Sequence, residues 1–508
     1  MNFRLFFLCA LAVSLAIVFA TNVCKSSLSK IITFFILLVV FACLVALSLI
    51  YKKKFLKVVA VLSLFMSLPF ICLYSWSLKL ERYGAYDDEK VVVSGRIYEM
   101  KLSNNKYARL TLDGVTITTA NGEESIKDKL IITVNAYGFD MSQVELGRYV
   151  VASTSLKMYS LGNLETYVGG YLSKGIVGQG YCYYYNINFL DEYNVTLRDK
   201  IKTSTLAHLE NMNIKHSEIG YAMMFGDTVP IEDNVVDIFR TTGVAHLLAV
   251  SGLHVSIIVM VICFLLKKLK VPNIARLIVV AILLGFYCYV CGFSISVVRA
   301  SLMSIIMLYA GVRGKCYDRL SALSFVACLI LSVSPLQLYN VSFVLSFTTV
   351  FAITILSTMF NRALSKVLSK KLAVTLSLNF AVQFIIFATS VYYFKSYPIL
   401  GFFANLITVP VATFSFVYFL FMLIFTAILP FMSFAGIVYS WLMDFVVRFN
   451  YVIGSFNLTF SPEKSLGIII LLMLMLIFVI SKHLFIKKKT KAVISSLIAT
   501  SIVCFLVI

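Results

Sequence analysis

His246-Leu-Leu-Ala-Val-Ser-Gly-Leu-His254 opens a hydrophobic run and is preceded by Gly226-Asp227. The stretch sets two histidines, a hydroxyl and a helix-breaking glycine where a membrane span normally carries only hydrocarbon. Polar and ionisable groups at membrane depth are expensive, and by default they mark a pathway or a site rather than packing. The surrounding sequence decides the fold class. Of 508 residues, 60% are hydrophobic and 13% charged, the mean hydropathy is +0.92, and many apolar runs reach the ~20 residues that a bilayer-crossing helix needs. This reads as a polytopic α-helical membrane protein with about thirteen transmembrane helices and an extracytoplasmic OB-like β domain inserted after the third.

Downstream of the opening stretch, residues 244–508 form the main membrane domain, with about ten spans, the last two at 466–481 and 492–508. Pro335, Pro398, Pro410 and Pro430 interrupt or shorten several of them, and 398–410 reads as a broken or re-entrant helix. Such interruptions are tolerated where neighbours or a water-filled cavity satisfy the freed backbone. Upstream, residues 1–79 hold spans near 5–23, 31–50 and 58–78. Lys52, Lys53, Lys54 and Lys57 place the loop between the second and third inside. The N-terminus is then cytoplasmic and the third helix exits outward. No small-residue cleavage site supports a signal peptide over a retained first helix.

Residues 80–190 change character. Val91–Tyr98, Tyr107–Thr118, Leu130–Ala136 and Tyr149–Leu156 alternate as strands, split by Asn104-Asn105, Asp113-Gly114 and Asn121-Gly122, so a barrel of about five strands is expected. Residues 191–243 read as amphipathic interfacial helices.

The net charge of +20 suggests nucleic acid until it is located. Residues 1–243 carry 24 Lys and Arg against 21 Asp and Glu, and residues 244–508 carry 20 against 3. Sixteen of those twenty cations lie in four short loops, 267–276, 313–319, 362–371 and 482–491, which the positive-inside rule explains without a ligand. With the β domain outside, all four loops fall inside and the C-terminus falls outside. Residues 80–190 hold eleven cations and twelve acids, so no dominant basic groove is expected there. Cys288 and Cys291 form a CxxC within an apolar helix and read as buried thiols.

The residues that carry chemistry are few. Ser251 and His254 lie one turn apart, as lining of a polar path, as interhelical hydrogen-bonding groups, or as a nucleophile and its base. The last needs an orienting acid and an oxyanion hole, and Asp227 is the only acid nearby. Arg299 lies mid-span, where a guanidinium costs at least ~2.5 kcal/mol and must face protein or water. It suits a passing phosphate or an ion pair with Asp444, for which Arg448 competes one turn along. Asn405 stands at the broken helix to bond freed backbone, and Gly252 permits a break or a close helix contact. Five histidines without clustering give no zinc signature, and no GxxxxGK[ST] loop is present, so neither metal nor cofactor is expected.

Phe225-Gly-Asp227, Phe239-Arg-Thr-Thr-Gly-Val-Ala-His246, Leu248-Ala-Val-Ser-Gly-Leu-His254, Val298-Arg-Ala-Ser301 and Phe343-Val-Leu-Ser-Phe347, in this order after the β domain, resemble the ComEC family of competence proteins. The resemblance implies a channel, not an enzyme, that passes single-stranded DNA across the bacterial cytoplasmic membrane during natural transformation. Asp227, His246, Ser251, Gly252, His254, Arg299 and Asn405 are the candidate path residues. It further implies membrane lipid, a DNA-receptor protein outside and an ATP-driven translocase inside as partners, with a homo-oligomer left open. The family's external metallo-β-lactamase-like domain has no counterpart in these residues. Either a separate nuclease supplies it, or the protein works without one, or the gene is truncated. The rival readings are a small-molecule transporter and an intramembrane serine hydrolase.

Overall fold

Alternation between residues 80 and 190 produces a closed barrel. The computed structural model describes residues 2–22, 29–33, 35–37, 39, 54–103, 107–119, 122–135, 144–164, 166–428 and 434–461. Its strands are β1 (Lys90–Ser103), β2 (Tyr107–Thr119), β3 (Gly122–Ile126), β4 (Lys129–Asn135), β5 (Arg148–Met158), β6 (Ile176–Tyr183) and β7 (Ile187–Tyr193). The order β1-β2-β4-β6-β5 closes through a β1–β5 pairing, while β3 adds to β2 and β7 to β5. Only β4 and β6 run parallel. Five closing strands with this order have OB connectivity. Register shifts at Ser94/Arg96 and Ile97/Glu99 bend β1, which lets one strand pair with both β2 and β5. Val93, Ile97, Leu110, Leu112, Leu130, Ile132, Val134 and Ala152 fill the interior, each two residues from the next on its strand as the pleat requires, save for the bulged β1. The four expected strands are all present, and among the described residues the sheet has seven.

The chain forms two units, one of residues 5–206 with 327–341, the other of 207–326 with 342–508 and 1–4. In the barrel's unit, α1 (Asn2–Asn22) and α2 (Lys54–Tyr83) precede β1. A short helix α3 (Thr166–Leu172) lies in the β5–β6 connection. Beside it, Ser173 accepts hydrogen bonds from Gln337 at its carbonyl, 2.9 Å, and from Asn340 at its hydroxyl, 3.0 Å. Tyr339, of that same 3-10 segment, meets the Thr21 hydroxyl at 2.5 Å.

The other unit follows α4 (Leu197–Asn211) and contains α5 (Ser217–Phe225), α6 (Asp233–Thr241), α7 (Gly252–Lys268), α8 (Asn273–Val290) and α9 (Ile295–Val312). After α10 (Arg319–Val333) come α11 (Val341–Leu364), α12 (Lys370–Phe394), α13 (Gly401–Ile428) and α14 (Gly436–Ser455). Among the described residues six helical stretches are long and apolar enough to cross a membrane: Ser63–Tyr86, Asn273–Val290, Ile295–Val312, Val341–Leu364, Lys370–Phe394 and Gly401–Ile428. These make the chain a membrane protein. The expected spans 466–481 and 492–508, and most of 31–50, lie outside the described residues.

Two details differ from the sequence reading. Of the helices expected at the interface, α6 is strongly two-faced, but α5 is buried at six of its nine positions. The reason is packing: a side chain at Gly220 would collide with Phe419 and the Tyr439 hydroxyl, so α5 lies directly against α13 and α14. Second, the helix expected to break between 398 and 410 starts at Gly401 and continues through Pro410. Proline removes one ladder bond. Just before it, Thr408 is fully buried and accepts from Asn450 of α14 at 2.9 Å, which anchors that turn.

Candidate functional site

The site is built around the irregular segment 242–251 that joins α6 to α7. Ser251 caps α7 in a reciprocal pair of bonds. Its hydroxyl oxygen accepts from the His254 backbone N–H at 3.4 Å, and its own N–H donates to His254 Nδ1 at 3.3 Å. This capping box satisfies two donors that a helix start leaves open. It also fixes what His254 is for. Because Nδ1 accepts from a main-chain N–H, it is not the partner of the Ser251 hydroxyl proton. The ring is fully buried, its Nε2 has no partner among the described residues, and it packs on Phe416 at 4.5 Å between centroids.

Gly252 is the first residue of α7 and touches Arg299. A side chain there would collide with the Arg299 guanidinium. Arg299 is 6% exposed. It donates through Nη1 to the Ser346 carbonyl of α11, lies 5.9 Å from the Phe347 ring centroid, and keeps Nε without a partner among the described residues. Ser346 also meets Ser296 through the two hydroxyls, 3.2 Å apart. A charge-assisted bond to one carbonyl leaves most of the five guanidinium donors available. Of the two roles open to Arg299, the ion pair with Asp444 is not formed. Asp444 instead meets Arg448 and Lys215, each at 2.5 Å, and His216 at 3.5 Å. Two cations, Lys215 and Arg448, and the His216 ring occupy that carboxylate.

Asn405 donates to Gly401 O at 2.6 Å and reaches Gly243 O at 3.5 Å. Gly243 has φ +75° and its missing side chain leaves room for Pro398, so the chain turns tightly against α13 at this point. Gly226 faces Val250, and the neighbouring Asp227 accepts from Val229 N–H at 3.3 Å within its own turn. His246 lies exposed in a 3-10 turn, Ala245–Leu247. The structure thus brings Ser251, Gly252, His254 and Arg299 together at the start of α7. Asn405 and the loop of Asp227 meet other parts of the same segment.

Three polar contacts escape a reading of the sequence. Tyr287 OH donates to Met224 O at 2.7 Å. Gln383 of α12, 7% exposed, donates to Gly401 O at 3.1 Å and accepts from Tyr397 OH at 2.9 Å. Their signal was the same as that of Arg299, a polar group inside an apolar helix.

On the barrel, Tyr107, Tyr181, Tyr183, Tyr184 and Tyr185 are all exposed. They form a continuous series, with centroids 6.2 Å apart for Tyr107–Tyr181, 5.7 Å for Tyr181–Tyr183, 5.4 Å for the parallel pair Tyr183–Tyr185 and 5.5 Å for Tyr184–Tyr185. Among the described residues no cluster of His, Cys, Asp and Glu can hold a metal ion.

The profile of a family described as "Competence protein" matches residues 223–488, which include Asp227, His246, Ser251, Gly252, His254, Arg299 and Asn405. The chain is similar to ComE operon protein 3 of Bacillus subtilis (strain 168), 31% identical over 126 residues that are 25% of this chain and 16% of that protein. It is also similar to Recombination protein 2 of Haemophilus influenzae (strain ATCC 51907 / DSM 11121 / KW20 / Rd), 28% identical over 132 residues, 25% of this chain and 17% of that protein. The matched stretches thus span 16% and 17% of the two relatives. No solved structure matches the chain.

Proposed function

The chain belongs to the competence protein family, and from that premise we propose that it takes up DNA for transformation by conducting a single strand across the bacterial cytoplasmic membrane. The observation that carries this reading is Arg299. A guanidinium held at the start of α7, bonded to one main-chain carbonyl and retaining further donors, suits transient contact with phosphate after phosphate. Ser251, Gly252 and His254 shape that position, His246 lies on the segment that leads to it, and Asn405 and the loop of Asp227 meet that segment elsewhere. The exposed tyrosines of the barrel supply stacking faces, which bind bases without regard to sequence. The capping bonds between Ser251 and His254 favour a conduit over a hydrolase.

In this reading the N-terminus is cytoplasmic, the barrel is external and about thirteen helices cross the bilayer. The parts are membrane helices over 1–79, the barrel over 80–190, linking helices over 191–243 and the channel over 244–508. The partners are a DNA receptor outside and an ATP-driven translocase inside. The test is entry of labelled DNA into the cytoplasm of the source cell. Deletion of the gene leaves surface-bound DNA in place and abolishes entry; unchanged entry after deletion contradicts the proposal.

A further inference from the structure

Residues 319–443 carry six Lys and Arg and no Asp or Glu. Four of the six, Arg362, Lys366, Lys370 and Lys371, meet where α11 ends and α12 begins. All four are exposed, and among the described residues none pairs with an acid. The acids on either side bond elsewhere, Asp318 to Ser321 and Asp444 to Lys215 and Arg448. The positive-inside rule accounts for such charges. It does not account for a polar cleft beside them.

Ser357, Thr358 and Asn361 of α11 face Val374, Ser377 and Leu378 of α12 across a cleft of about 90 Å³, room for several water-sized groups. Helical spacing carries cations to its rim, since Arg362 stands one turn beyond Thr358 and Lys370 one turn before Val374. The hydroxyl protons are already spent on the main chain: Ser357 donates to Ile353 O, Thr358 to Ile355 O at 2.7 Å and Ser377 to Ala373 O. What these groups present to the cleft is therefore oxygen that accepts. Asn361 Oδ1 is buried and has no hydrogen-bond partner among the described residues. A ligand that matches both parts carries an anion for the rim and donors for the wall. The start of α12 adds to the rim, because Ser369 at its N-cap makes no side-chain capping bond and leaves N–H groups for an anion.

The surroundings favour a lipid over a nucleic-acid strand. Both α11 and α12 are long and apolar enough to cross a membrane, which puts their joint at headgroup level. Val374 and Leu378 at the cleft, and Val367 between the two helices, are exposed apolar side chains. Acyl chains cover such a surface, and a phosphodiester backbone does not. Basic pockets between membrane helices take lipid headgroups on these terms.

We propose that this cleft binds the headgroup of an anionic phospholipid that carries hydroxyls, as phosphatidylglycerol does. The lipid phosphate meets Arg362, Lys370 and Lys371, and the glycerol hydroxyls donate to Asn361 Oδ1 and to the serine and threonine oxygens. The bound lipid ties α12 to α11, the helix whose Ser346 carbonyl holds Arg299.

The test is native mass spectrometry of the full chain in non-ionic detergent, titrated with phosphatidylglycerol, phosphatidic acid or phosphatidylcholine. The parent chain retains phosphatidylglycerol in preference to phosphatidylcholine. Arg362→Gln with Lys370→Gln lowers that affinity at least about tenfold, the loss of one charge-assisted bond, and Arg362→Lys with Lys370→Arg restores it. Removing two cations from another loop, by Arg313→Gln with Lys315→Gln, leaves it unchanged. Asn361→Ala lowers the affinity for phosphatidylglycerol about fivefold and spares that for phosphatidic acid, which has no headgroup hydroxyls; an asparagine with only a structural role would weaken both alike. Equal retention of phosphatidylglycerol and phosphatidylcholine by the parent chain, unchanged retention in the Arg362/Lys370 variant, or the same loss in both double variants overturns the inference. If a fluorescent oligothymidylate displaces the lipid from the parent chain and binds the Arg362/Lys370 variant more weakly, the rim serves the strand and the inference also falls.

Discussion

The membrane unit and the barrel solve the same problem, a buried cation, in opposite ways. Arg299 is held by main-chain oxygen and by the bare backbone of Gly252, with no acid paired to it among the described residues. Arg96 is held by two carboxylates, one of them 103 residues away. A carboxylate partner fixes a cation and neutralises it, whereas a carbonyl fixes it and leaves its charge in place. The membrane site therefore stays receptive to an anion, and Arg96 in the barrel does not.

The largest effect should come from Arg299 itself. A hydrogen bond to a charged group contributes about 1.5–3 kcal/mol, so Arg299→Ala should lower DNA entry by about 10–150-fold with the protein still present in the membrane. Arg299→Lys should recover little, because one ammonium does not replace a planar fork. Full entry with alanine would erase the contrast between the two units.

Gly252→Ala comes next. The added methyl meets the guanidinium, and overpacking of this kind costs about 1–3 kcal/mol, read as a lower thermal midpoint and reduced entry. In an Arg299→Ala background the same change should cost much less, since the colliding group is gone. Additive effects would mean that the two residues do not share a site.

Ser251 separates a cap from a nucleophile. Ser251→Ala should cost about 1 kcal/mol of stability, and Ser251→Asn, which also caps, should restore both stability and entry. A nucleophile would be lost in both variants, and serine-directed probes would label the parent chain.

The smallest effect is a pH dependence in the barrel. Loss of hydration alone would raise the Glu99 carboxyl, but Lys101, Lys174 and the hydrogen bond from Lys101 outweigh it and hold the group below its ordinary value. The stability it contributes is present above the ordinary glutamate value and lost as pH falls through the depressed one. Thermal midpoints of the full chain should therefore fall on acidification through the carboxylate range, and less steeply in Glu99→Gln. Equal slopes would remove Glu99 from the balance.

How far each region could be read from sequence follows from the same contrast. Ser251 and His254 are three residues apart, and their joint placement is visible in the sequence, although their role as a mutual cap depends on main-chain geometry. The strands of the barrel are legible because each alternates within itself. The bond from Arg299 to Ser346 was not, since a carbonyl oxygen carries no residue signature, and the alternative of Asp444 named the one partner type that does. The pair of cations at Tyr98 was equally hidden. Counting eleven cations and twelve acids over 80–190 describes a neutral domain, and only folding brings Lys129 and Arg198 to one ring.

The central claim is that DNA passes along the segment leading into α7. A photo-crosslinking residue placed at exposed His246, with a second strain carrying it at Ile282, which is 66% exposed on the apolar helix α8, tests this during uptake of labelled DNA. The account expects adducts at position 246 that appear only while DNA is entering, and none at 282. Normal entry with no adduct at 246, or with equal adducts at both positions, would contradict it.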